Sequence, residues 1–72
     1  MKLIKGLKFI QDNLLHCEVL ELYSENKKTT KRILKFEMVR IKKNDKIFNY
    51  HLEAFQKSFT KGLVFGSFKL KE

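Results

Sequence analysis

The amino-acid sequence predicts an α+β domain with the element order α-β-β-β-α-β, a small antiparallel sheet of three to four strands packed against two helices. Three observations predict it. Apolar residues recur at three- and four-residue spacing near both ends of the chain, they alternate with polar residues through its middle, and Asn/Asp-rich breaks separate the alternating runs. The 72 residues fit one domain, 1–72, near the lower size limit for a single hydrophobic core. A 43% hydrophobic content is that of a folded chain, and the seven phenylalanines supply its largest apolar side chains.

Leu3, Ile4, Leu7, Ile10, Leu14 and Leu15 fall on one broad helical face, which predicts a helix over residues 3–15. Gly6 and Phe9 disagree with it, and a short strand before Gly6 is the competing reading. From His16 the period becomes two, so Cys17, Val19 and Tyr23 point one way and His16, Glu18, Leu20 and Leu22 the other. A turn centred on Asn26 and Lys27 then pairs Cys17 with Phe36, Val19 with Leu34, Glu18 with Lys35, His16 with Glu37 and Glu21 with Arg32, and a longer loop through Lys28 and Thr29 is the alternative that shifts this register.

The following strand, residues 30–43, contains a conflict. Leu34, Phe36 and Met38 are even-numbered whereas Val39 and Ile41 are odd, so an unbroken pleat sends the two apolar sets to opposite faces. A β-bulge near Met38–Val39 resolves this; the alternative is a sheet covered on one face by a helix and on the other by a partner. Asn44-Asp45 suits a type I′ turn and pairs Ile41 with Phe48 and Val39 with Tyr50. Leu52, Phe55 and Phe59 then predict a helix over residues 50–61, capped by Asn49 and stopped at Lys61-Gly62. Alternation from Val64 to Leu70 predicts a closing strand that carries Phe65.

The helix–three strands–helix portion is similar, in element order alone, to the double-stranded-RNA-binding domain. That family grips phosphates with a lysine-rich start to its last helix, whereas residues 50–56 hold no lysine and include Glu53, so no family is assigned.

Charge is distributed unevenly. The net charge is +8, and residues 27–46 hold nine of the sixteen basic residues against two acids, Glu37 and Asp45. A local positive field focuses on a polyanion, so the candidate nucleic-acid-binding residues are Lys27, Lys28, Lys31, Lys35, Arg40, Lys42, Lys43 and Lys46. Lys27, Lys28 and Lys31 stand at one sheet end and Lys42, Lys43 and Lys46 at the other, joined by Lys35 or Arg40, and would contact the phosphates of DNA or RNA with little sequence choice. The alternative function is a protein-interaction or regulatory domain, with a homo-oligomer or another protein as partner, lysines serving solubility, and Tyr50 and Phe65 as interaction residues.

Other chemistries find little support. His16, Cys17 and His51 are the only soft metal ligands, and neighbours in a strand point to opposite faces, so no metal or cofactor is assigned. A thiol nucleophile at Cys17 lacks an orienting partner, and no phosphate-loop pattern surrounds Gly62 and Gly66, so no catalytic residue and no small-molecule substrate are expected. One cysteine excludes an internal disulfide, and the absence of a long apolar run argues against membrane attachment; the expected compartment is the cytoplasm.

Overall fold

The computed structural model describes residues 2–71 and has five strands and one helix: β1 (Lys8–Gln11), β2 (Leu15–Lys28), β3 (Ile33–Lys43), β4 (Lys46–His51), α1 (Leu52–Phe65) and β5 (Phe68–Leu70). All five strands join one antiparallel sheet in the order β4-β3-β2-β1-β5. Four strands form a meander, and α1 then crosses one face of the sheet to deliver β5 beside β1, packing on β3, β4 and β5 as it goes. The expected two-helix, α-β-β-β-α-β order is therefore wrong, and so is the likeness in element order that depended on its first helix.

In place of a helix over residues 3–15 the chain turns at Gly6 and enters the β1–β2 hairpin, for reasons of turn geometry and of Phe9. Gly6 has φ +87°, and Asp12 and Asn13 have φ +52° and +59°, left-handed values that no continuous helix contains. The Leu14 N–H closes the Asp12-Asn13 turn by donating to the Gln11 carbonyl at 3.1 Å. Phe9, which lies off the helical stripe, is fully buried, whereas the stripe residues Ile4 and Leu14 are 58% and 76% exposed. Phe9 sits 5.0 Å from Phe59, 5.5 Å from Phe68 and 6.4 Å from Phe55, ring centre to ring centre, at inclined angles that favour edge-to-face contact. With Leu3, Cys17, Val19, Val39 and Ile41 these rings complete the core between sheet and helix.

The β3–β4 hairpin has the expected register, Val39 opposite Tyr50 and Ile41 opposite Phe48. Of its two central residues only Asn44 takes a positive φ, +52°, so the anticipated pair of left-handed angles is half realised. The β2–β3 hairpin departs further. Its turn lies at Thr29–Arg32, so Cys17 faces Lys43, Glu18 faces Lys42, Val19 faces Ile41 and Glu21 faces Arg40. The bulge lies in β2, between Val19 and Glu21, and not near Met38. It restores the parity that places both Val19 and Leu22 on the helix side, opposite Ile41 and Val39. The pleat of β3 stays intact, so Phe36 and Met38 do lie on the face away from α1, opposite Glu25 and Tyr23.

The helix starts and ends later than the apolar stripe suggests. Asn49 does not cap it; its side-chain oxygen accepts from the Tyr23 hydroxyl at 3.0 Å and from Arg40 Nε at 3.1 Å. Gly62 does not stop it either. Gly62 is buried inside α1 where the Phe68 ring passes, and the left-handed residue is Gly66, φ +89°, whose N–H donates to the Gly62 carbonyl at 2.8 Å. Phe65 consequently ends the helix, and the closing strand is only Phe68–Leu70. No helix among the described residues is long and apolar enough to cross a membrane.

Candidate nucleic-acid interface

The sheet is not rectangular. β1 pairs only with Leu15–Glu18 of β2, and β4 only with Met38–Lys43 of β3, so the remainder of β2 and β3 continues as a two-stranded arm. That arm helps make the molecule 44 Å long but only 25 and 16 Å across. Its tip is residues 27–35, Lys-Lys-Thr-Thr-Lys-Arg-Ile-Leu-Lys, five basic residues in nine and no acid. Alternation distributes the charges over both faces: Lys27 lies on the face away from α1, whereas Lys28 and Lys35 lie on the helix side.

The tip is held by its own hydroxyl chemistry. The Arg32 carbonyl accepts from the Thr29 N–H at 2.9 Å and from the Thr29 hydroxyl at 2.8 Å, and the Arg32 N–H donates to the same hydroxyl oxygen at 3.1 Å. These bonds fix the backbone and leave the long basic side chains outward. Among the described residues, no acid lies within ion-pair distance of Lys27, Lys28, Lys31 or Arg32. Lys35 contacts Glu37 at 3.8 Å across an exposed surface, an interaction that solvent largely screens.

The other candidates stand apart from the tip. Arg40 donates to Glu21 at 2.7 Å and to Asn49, and its guanidinium lies 5.0 Å from the Tyr23 ring centre, so it is engaged in holding three strands together. Lys43 is half-buried, its ammonium 5.0–5.8 Å from the ring centres of Phe48, Tyr50 and Phe55. It covers the core edge more than it offers a free charge. Lys42 and Lys46 are exposed beside the Asn44-Asp45 turn, at the end of β3 opposite the arm. β3 has eleven residues, and at about 3.3 Å per residue it separates these two basic poles by roughly 36 Å.

Sequence reasoning missed two members of the second pole, Lys8 and Lys71. Both line a surface hollow with Lys42 and His16, and Lys71 Nζ lies 3.4 Å from His16 Nδ1. Only the pairing of β1 with β2, and the bond from the Lys71 N–H to the Lys8 carbonyl, bring these chain ends together. This pole also contains the acids Glu18 and Asp45, so its charge is less pure than that of the arm.

Tyr50 is half-buried, stacked against Phe55 at 4.8 Å and Phe48 at 6.1 Å. Phe65 is 82% exposed at the C-terminal end of α1, two residues before Ser67, whose carbonyl accepts from the Asp12 N–H. The two aromatics therefore do not combine with the basic arm into one stacking surface. His16 faces Ile10 and not Glu37, and Glu37 accepts instead from the Ser24 hydroxyl at 3.1 Å. Among the described residues, no three His, Cys, Asp or Glu side chains cluster in a way that could hold a metal ion. Cys17 is 3% exposed; burial pushes its thiol pKa up, against the opposing pull of Lys43 and of a hydrogen bond to the Gln11 backbone. The side chain packs in the core with Phe9, Val19 and Ile41. The chain matches no protein-family model, no curated protein and no solved structure among those compared with it.

Proposed function

We propose that this protein is a small binding module that holds nucleic acid, DNA or RNA, by its phosphate backbone through the tip of the β2–β3 arm. The observation that carries the reading is the arm tip itself, with five basic residues in nine, no acid in the segment and side chains presented on both faces. A projecting, narrow ribbon end that carries basic residues and no acid meets a polyanion without the repulsion that a mixed surface imposes. Lys28, Lys31 and Arg32 are the principal contacts, with Lys27 and Lys35 behind them. Lys42 and Lys46, aided by Lys8 and Lys71, offer a second and weaker set of contacts. Binding by lysines to phosphates carries little sequence preference. The buried free thiol of Cys17 is at home in a reducing cytoplasm.

Titration with short duplex and single-stranded oligonucleotides at several salt concentrations tests this. The wild type should bind at low salt and weaken steeply as salt rises. A Lys28→Ala/Lys31→Ala/Arg32→Ala variant should bind more weakly, with a salt slope on duplex shallower by about 2–3, close to one per contact removed. Absence of binding at low salt, or an unchanged slope in the triple variant, defeats the proposal.

A further inference from the structure

We infer that two copies of this protein associate through the uncovered edge of β2, pairing antiparallel about a two-fold axis at Ser24. The inference rests on strand geometry and does not depend on nucleic-acid binding. One long edge of β2 is occupied by β1 and the chain before it as far as Val19, whose N–H donates to the Leu7 carbonyl at 2.9 Å and whose carbonyl accepts from the Gly6 N–H at 2.8 Å. The strand ends at Lys28, where the Thr29–Arg32 turn begins. The stretch Leu20–Lys28 therefore has β3 on one side and, among the described residues, no strand on the other. A row of unpaired backbone donors and acceptors of this length is a template for another strand.

Symmetry and charge together select the register. Two strands of identical sequence related by a two-fold axis normal to the sheet must place residues of the same face opposite one another, so the axis passes through a residue. Ser24 is the midpoint of Leu20–Lys28, so an axis there pairs the whole free edge, and the second copy's chain turns away at Thr29 as it reaches Val19. It sets Glu21 against Lys27 of the second copy, Leu22 against Asn26, Tyr23 against Glu25 and Ser24 against itself. Both Glu21–Lys27 pairs are attractive, because the acids of this edge precede its bases and antiparallel pairing brings opposite ends together.

The two nearest alternatives are worse. An axis at Tyr23 opposes Glu21 with Glu25 and drives Lys27 against Val19, which is already paired; an axis at Glu25 opposes that acid with itself and carries Glu21 into the turn at Thr29. The edge of β3 is a poorer template. It is free only over Ile33–Glu37, and its central register sets Lys35 against Lys35.

The assembly is a continuous ten-stranded sheet with both helices on one face. Leu22, 40% exposed in the single chain, is covered at the junction. The basic tips remain at opposite ends of the joined arms. Thr30 lies six residues from Ser24, so the tips stand about 40 Å apart at roughly 3.3 Å per residue.

Sedimentation equilibrium of the full chain over a concentration series, together with cysteine cross-linking, tests the inference. The mass should rise from 8.6 kDa toward twice that value. In a Cys17→Ala background, Ser24→Cys should form a disulfide-linked dimer on mild oxidation much faster than Ser58→Cys, an exposed position on α1, because directly opposed strand residues approach disulfide distance. Lys27→Glu should weaken association about tenfold with an unchanged circular-dichroism spectrum, since it makes both charge pairs repulsive. A mass fixed at 8.6 kDa up to the solubility limit overturns the inference, as does equal cross-linking at positions 24 and 58.

Discussion

Replacing Gly62 by alanine is the sharpest test of how the helix and the last strand fit together. Gly62 lies within α1, where alanine is ordinarily better than glycine by about 1 kcal/mol, so helix propensity alone predicts stabilisation. Packing predicts the opposite. A methyl group at this position overlaps Cδ2 of Phe68 and comes within 2.7 and 2.8 Å of its Cε2 and Cγ. The ring has little room to retreat, since Phe9 stands 5.5 Å away, Phe59 5.6 Å and Phe55 6.1 Å. Overpacking of a rigid core costs about 1–3 kcal/mol, and so deep an overlap belongs at the upper end. Subtracting the propensity gain leaves a net loss of about 2 kcal/mol, a fall in Tm of about 8–16 °C for a domain of this size. Thermal unfolding followed by circular dichroism reads this directly. The same change on a Phe68→Val background should be neutral or mildly stabilising, because the obstructing ring atoms are gone. A Gly62→Ala variant as stable as the wild type, or an equal cost in both backgrounds, refutes the packing argument.

Two further outcomes follow from burial and titration. Phe9→Ala should cost about 3–5 kcal/mol because Phe9 is fully buried among three other rings, whereas Phe65→Ala, at an 82% exposed site, should move stability by no more than about 0.5 kcal/mol; urea denaturation of both variants checks the contrast. The raised pKa of Cys17 makes stability depend on alkaline pH. Below the ordinary thiol value of 9.0 both folded and unfolded chains keep the proton, and above it the unfolded chain loses its proton first, so the stabilisation is lost as pH climbs through the raised native value. The stability difference between wild type and Cys17→Ala should therefore be flat through neutral pH and shrink above about pH 9, and a difference independent of pH would contradict the assignment.

The legible parts of the candidate site were the local ones. The excess of lysine in residues 27–46 and the exposure of its hairpin ends are properties of short segments, and the arm tip displays them. That Arg40 and Lys43 are engaged elsewhere was not legible, because Glu21, Asn49 and the rings of Phe48, Tyr50 and Phe55 reach them only through pairing of distant strands. The same holds for Lys8 and Lys71, which approach Lys42 only when β1 joins β2 and the chain end returns beside it.

The β3–β4 hairpin and its register, the existence of α1 and the stripe that buries Phe55 and Phe59 were legible in the chain, because turn chemistry and hydrophobic period act over a few neighbouring residues. The remainder was set by long-range packing. Residues 3–15 carry a helical period, yet Phe9 completes a ring cluster that only a strand can reach, and the left-handed Asp12 and Asn13 turn the chain back. In the β2–β3 pair a single extra residue, Leu20, reverses the parity of everything beyond it. In one dimension Gly62 looks like the helix stop and Gly66 lies inside the closing strand. The passage of Phe68 past Gly62 made it a packing contact and left Gly66 as the cap.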